Sequence, residues 1–285
     1  MGYDYGAIRT DLDRGILTVT IDAPPCNILS VAILGDLDDL GRKAAMDDTV
    51  RVIVLQSADP DFFIAHFDVN AVLAMPRDDE PARTADLSPF HAMCARFREN
   101  PKPSLVKIAG RAGGGGCELA SSCDMRFGVR GRTVLNQMEV PLGILPGGSG
   151  CQNLPRLLGR GRALEMILGA DDIDAETAMA WGYLNRLFDT VDAMDAFVDG
   201  LARRIAGWPP RAVALAKTAV DRAELPWRHG LAEESHLALE TLRRPEPWAL
   251  MRGFLDRGGQ TRAGERRVAS LCVENAAAVL GEPAR

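Results

Sequence analysis

The sequence predicts a mixed α/β protein, with strands and helices interleaved through residues 1–205 and an all-helical remainder at 206–285. Three observations carry that expectation. Almost unbroken apolar runs at 51–56 and 104–109 read as strands buried on both faces. A helical pattern over 89–97 lies between them, and a run of glycines follows the second. From about residue 191 the apolar spacing becomes helical and stays so, with Pro209 and Pro210 marking a break.

Alternating apolar segments at 6–12 and 15–22 flank a polar Asp13-Arg14 pair, the pattern of a β-hairpin that ends at Pro24-Pro25. Ser30 can cap a helix whose apolar face holds Ile33, Leu34, Leu37, Leu40 and Ala44. Beyond the strand at 51–56, the Pro-Arg-Asp-Asp-Glu-Pro stretch at 76–81 predicts a mobile loop. The helix at 89–97 then leads through Pro101 and Pro103 to the strand at 104–109. A strand at 124–129 and short helices at 147–158, 161–168 and 174–181 follow. The next helix carries Met194, Phe197, Leu201 and Ile205 on one face. Further on, Trp227, Leu231, Leu237 and Phe254 need a surface to pack on, either the core or another subunit.

With 285 residues and 47% hydrophobic content, the chain can fill a large core. Its formal net charge of -6 repels a phosphate backbone, which disfavours nucleic acid as a partner. The start lacks the cationic and apolar regions of a secretion signal, and no window approaches the ~18 apolar residues of a membrane span. A cytoplasmic protein without a membrane partner is expected. Six cysteines without a C-x-x-C pair fit neither a disulfide framework nor a zinc site, so no metal is expected.

The segment Gly113-Gly-Gly-Gly-Cys-Glu-Leu-Ala120 stands between a strand and a helix, where unpaired N–H groups and the positive end of a helix dipole converge. Glycines there let a carbonyl approach the backbone, whose N–H groups can stabilise an oxyanion. A phosphate-binding loop fits less well. The spacing is not G-x-G-x-x-G, and no Gly-Lys-Ser/Thr follows.

The segment 104–124 resembles the pattern of the enoyl-CoA hydratase/isomerase (crotonase) family: a buried strand, N-G-x-x-x-G-G-G-x-E-L-A and a Cys-Asp. Gly110, Gly114, Gly115, Gly116, Glu118, Leu119, Ala120 and Asp124 fall in place. The stretch 136–147 is similar to the family's Q-P-E-x-x-x-G-x-x-P-G and puts Glu139 at its acidic position. Segments 25–29, 168–175 and 180–185 agree as well.

The resemblance implies a spiral of strand-strand-helix turns with a C-terminal helical trimerisation region, assembled as trimers or dimers of trimers. It implies an acyl-CoA thioester substrate and no separate cofactor, coenzyme A being part of the substrate. Glu118 and Glu139 would be the acid/base pair, and the backbone N–H groups of Phe67 and Gly115 the oxyanion hole. Ala65, His66, Phe67, Asp68, Gly114 and Gly115 would touch the substrate. Hydration of a 2-enoyl-CoA is the leading implied reaction. Isomerase or hydratase-lyase chemistry is the alternative, but family isomerases often keep a carboxylate only at the position matching Glu139.

One loop departs from the family. Its common F-x-A-G-A-D corresponds to 63–68, where His66 replaces glycine and Phe67 a small residue. If position 66 needs a left-handed backbone, histidine there costs roughly 1–2 kcal/mol. Phe67 could reshape the acyl site, and a non-catalytic acyl-CoA-binding relative is the corresponding alternative.

Overall fold

The computed structural model describes residues 2–75, 86–261, 264 and 267–281, the side chains of 227, 228, 230, 231, 233, 268 and 269 excepted. The expected mobile stretch at 76–81 lies outside the described residues, as do the side chains of Trp227 and Leu231.

Strands β1 (Ile8–Asp13) and β2 (Ile16–Ile21) pair antiparallel, with Ile8 opposite Ile21 and Asp13 opposite Ile16. Arg14 and Gly15 join them at positive φ (47° and 79°), the two-residue turn whose twist matches the flanking strands. Helix α1 (Val31–Met46) starts at Ser30, whose hydroxyl accepts the Ile33 N–H. All five apolar positions expected on its inner face are buried.

A repeating unit follows. β3 (Val52–Ser57) and β4 (Phe62–Ile64) precede α2 (Val69–Leu73) and α3 (Pro89–Arg98). β5 (Ser104–Ile108) and β6 (Arg111–Gly113) precede α4 (Gly115–Ser122). β7 (Met125–Val129) and β8 (Val134–Asn136) precede α5 (Gly150–Leu158) and α6 (Arg160–Gly169). β9 (Ile173–Asp174), α7 (Ala175–Trp181) and β10 (Arg186–Phe188) close the series. The first strands of the three turns (β3, β5, β7) join the hairpin and β10 in one sheet, ordered β1-β2-β3-β5-β7-β10, and the second strands (β4, β6, β8) join β9 in another, ordered β4-β6-β8-β9. That is the expected spiral of strand-strand-helix turns.

Alternation along β3 serves two cores. Ile53 and Leu55 face one cluster with Leu37, Leu40 and Phe97, while Val52 and Val54 face another with Leu105, Phe127 and Val129. Helix α8 (Val191–Ala206) covers the second cluster with Met194, Val198 and Ala202. Helix α9 (Pro210–Asp221) is tied inward by Lys217, which donates to Asp124 Oδ2 at 2.9 Å and to the Phe97 carbonyl at 3.1 Å. Helices α10 (Trp227–Thr241), α11 (Pro245–Asp256) and α12 (Val268–Leu280) complete the C-terminal part.

The strands β4, β6, β8, β9 and β10 were not expected, and the helix expected at 147–158 begins at Gly150. These strands are two or three residues long, too short for a period-two pattern to show. Among the described residues no helix is long and apolar enough to cross a membrane.

Candidate active site

The two sheets bring the 63–68 loop against the start of α4. A Cβ on Gly113 would stand 2.3 Å from the Ala65 carbonyl oxygen, and one on Gly116 would stand 2.5 Å from that of Ile64. Only bare backbone permits this approach. Gly114 turns the chain at φ 44°, and its N–H donates to the Asn136 carbonyl at 2.9 Å.

Phe67 forms a parallel bridge with Leu29: the Leu29 N–H donates to the His66 carbonyl (2.9 Å), and the Asp68 N–H donates to Leu29 (3.1 Å). The N–H of Phe67 therefore points to the opposite side. A Cβ on Gly115 would lie 3.2 Å from Phe67 Cβ, so the two residues are neighbours. Among the described residues, neither the Phe67 nor the Gly115 N–H has a hydrogen-bond partner.

Glu118 lies in the first turn of α4 and is 1% exposed, unlike an ordinary solvated helix-start glutamate. Its Oε1 accepts the N–H groups of Gly148 and Gly150, both at 2.8 Å, and Oε2 has no hydrogen-bond partner among the described residues. Burial pushes its carboxyl up to about 7, the Gly150 and Gly148 N–H groups opposing and the nearby Glu139 adding to the rise. Glu139, 9% exposed, is also raised above the usual carboxylate range, by burial. Its Oε1 would be 2.8 Å from a Cβ on Gly114, which sets this carboxyl beside the glycine turn. Fully buried Gln137 faces it, and with its side-chain amide turned nitrogen-inward it donates to Oε2 at 2.8 Å and to Oε1 at 3.3 Å.

The 148–150 turn is held by a buried polar network. Asn153 Nδ2 donates to the hydroxyls of Ser122 (2.9 Å) and Ser149 (3.1 Å), which bond each other at 3.0 Å. Ser149 has φ 95°, a conformation costly for a residue with a side chain, and the network holds it there. Sequence reasoning did not single out Gly148, Ser149, Gly150, Asn153 or Gln137. The Gly147-Gly148 pair followed by Gly150 was the available signal for the turn.

His66 corrects one expectation. The left-handed non-glycine positions among the described residues are Arg14, Asn27, Ser149, Ala170 and Gln260, so His66 carries no such strain. Its carbonyl is engaged in the extended bridge, which any residue can adopt, and its Nδ1 lies 2.8 Å from the Phe67 carbonyl oxygen. Ala65 is buried with its N–H on the Cys26 carbonyl. The Asp68 side chain caps α2, accepting the Asn70 N–H at 2.9 Å.

The fold and these groups define a class: a two-sheet spiral that sets a glycine-rich helix start beside two buried carboxyls, the arrangement that the sequence resemblance implies. The family model described as enoyl-CoA hydratase/isomerase matches residues 11–247. The chain belongs to that family. A short-chain-enoyl-CoA hydratase of Clostridium acetobutylicum is 32% identical over 208 residues, 73% of this chain and 78% of the relative. The human peroxisomal bifunctional enzyme is 30% identical over 241 residues, 85% of this chain and 31% of that protein. The crystal structure of an enoyl-CoA hydratase from Bacillus anthracis superposes with a TM-score of 0.80 at 26% identity, covering 88% of this chain and 97% of that one.

Proposed function

We propose that this protein adds water to a 2-enoyl-CoA thioester. The observation that carries the reading is the pair of buried carboxyls beside two backbone N–H groups that have no hydrogen-bond partner among the described residues. In the proposed reaction the thioester oxygen lies between the N–H groups of Phe67 and Gly115, which stabilise the negative charge that develops there. Glu118 orients and activates water for attack at Cβ, using Oε2 while Oε1 is held by the 148–150 turn. Glu139 delivers the proton to Cα. The hydroxyl ends on Cβ and the proton on Cα, so the double bond is consumed. Retention of Glu118 favours water chemistry over isomerisation. The same reading makes the functional unit a homotrimer or a dimer of trimers, acting on acyl-CoA without a metal or a separate cofactor.

The test is loss of the conjugated thioester absorbance when purified protein meets but-2-enoyl-CoA. Wild type is expected to hydrate it, and Glu118→Gln and Glu139→Gln to lose at least about 100-fold in kcat. Near-native turnover in either variant overturns the assignment.

A further inference from the structure

We propose that Phe90 sets the length of acyl group this protein accepts, closing the site behind Cβ so that short 2-enoyl thioesters are favoured. This rests on the reading of Phe67 and Gly115 as the carbonyl-binding pair. Phe90 is the second residue of α3, and its ring reaches into the space between two glycines. A Cβ on Gly115 would lie 2.9 Å from Phe90 Cζ, and one on Gly148 would lie 2.6 to 2.7 Å from Cζ, Cε1 and Cε2. The ring tip therefore rests on bare backbone at both places. Gly115 supplies the N–H assigned to the thioester oxygen, and Gly148 supplies one of the two N–H groups that hold Glu118. An acyl chain running from that oxygen past the Glu118 carboxyl meets the ring.

The ring is braced. It stacks on Phe67 with centroids 5.4 Å apart and planes 30° from parallel. Helix α3 is anchored beneath it by Met93, Cys94 and Phe97, all buried. Its start is fixed by Pro89 and by Ser88, whose hydroxyl accepts the His91 N–H at 3.3 Å. Extra methylenes thus meet a ring supported on several sides, and a pocket wall of this kind discriminates by roughly 10-fold or more.

The test compares but-2-enoyl-CoA with dec-2-enoyl-CoA in wild type, Phe90→Ala and the milder Phe90→Leu, each checked for folding by circular dichroism. Wild type is expected to prefer the short substrate, and Phe90→Ala to raise the long-to-short ratio of kcat/KM by about 10-fold or more, Phe90→Leu less. A ratio unchanged in folded variants overturns the proposal, as does a wild type that takes both lengths equally. Calorimetric binding of butanoyl-CoA and decanoyl-CoA, which needs no turnover, separates the two readings. Selectivity that shifts with Phe90 in a protein that hydrates nothing supports the length control and sinks the hydratase assignment. Hydration with no shift in either ratio does the reverse.

Discussion

Glu118 is a carboxyl whose surroundings oppose its charge while two backbone N–H groups hold it in place. Its folded-state value of about 7 lies above the ordinary 4.5, so the folded protein holds the proton more tightly than the unfolded chain. The resulting stability is complete below the unfolded value and is lost as pH rises through the folded one. Glu118→Gln keeps an oxygen for Gly148 and Gly150 but never ionises. Its advantage over wild type should grow by up to about 3 kcal/mol between about pH 4.5 and 8, read from denaturant melts. A constant difference would mean that the carboxyl is not desolvated. Activity should depend on pH for a related reason. The proposed chemistry needs one proton shared between Glu118 and Glu139, so kcat/KM should be bell-shaped. The two steps belong to the pair, and burial raises both carboxyls. Below the lower step both are protonated and no base remains, and above the upper step both are ionised and no acid remains. Between them the productive form has Glu118 ionised and Glu139 protonated. A flat profile across this range would exclude the pair. The two glutamates were legible in the sequence because they stand in fixed motifs beside a glycine run. The 148–150 donors were not, because backbone N–H groups leave no residue-type signature, and Phe90 looked like one more apolar residue of an amphipathic helix.

At the scale of elements, the site depends on how closely β4 approaches α4. Gly116→Ala would put a methyl 2.5 Å from the Ile64 carbonyl and 2.7 Å from Ile64 Cβ, both held in a sheet and unable to yield cheaply. The expected cost is about 1–3 kcal/mol in unfolding free energy, with a fall in kcat because Phe67 moves away from Gly115. Gly161, inside α6, is the contrasting case. Nothing lies within 4 Å of its Cβ position, so Gly161→Ala should raise stability by roughly 0.5–1 kcal/mol through reduced unfolded-state freedom, with kcat unchanged. Thermal melts of the two variants check both signs. The longer elements were readable for reasons visible in them: α1 repeats its apolar face over four turns with a serine cap, and β3 and β5 are apolar runs buried on both faces. The second strand of each turn was unreadable, since Arg111–Gly113 and Val134–Asn136 gain their strand character from parallel partners far along the chain. The fold class was therefore visible locally, while the spiral was implied only by the resemblance.

At the scale of the whole molecule, the C-terminal helices present apolar surface that the described residues do not cover. On α11, Trp248, Met251 and Leu255 recur at helical spacing and are 51%, 44% and 49% exposed, and Leu239 and Leu242 extend the apolar surface from α10. Scattered exposed apolar residues need no explanation, but a stripe on one helix face does. The proposed trimer supplies it, because a closed ring can bury the same face on every subunit without leaving one free. Analytical ultracentrifugation should give three or six times the chain mass. Met251→Asp with Leu255→Asp should shift that mass toward the single chain, since two buried, unpaired carboxylates disfavour the interface strongly. The active-site residues named above all lie before residue 154, so the dissociated variant also separates assembly from chemistry. Retained hydration in a monomer would make the C-terminal helices an assembly device alone, and lost hydration in a folded monomer would make the site depend on its neighbours. A double variant that sediments like wild type would remove this stripe from the interface.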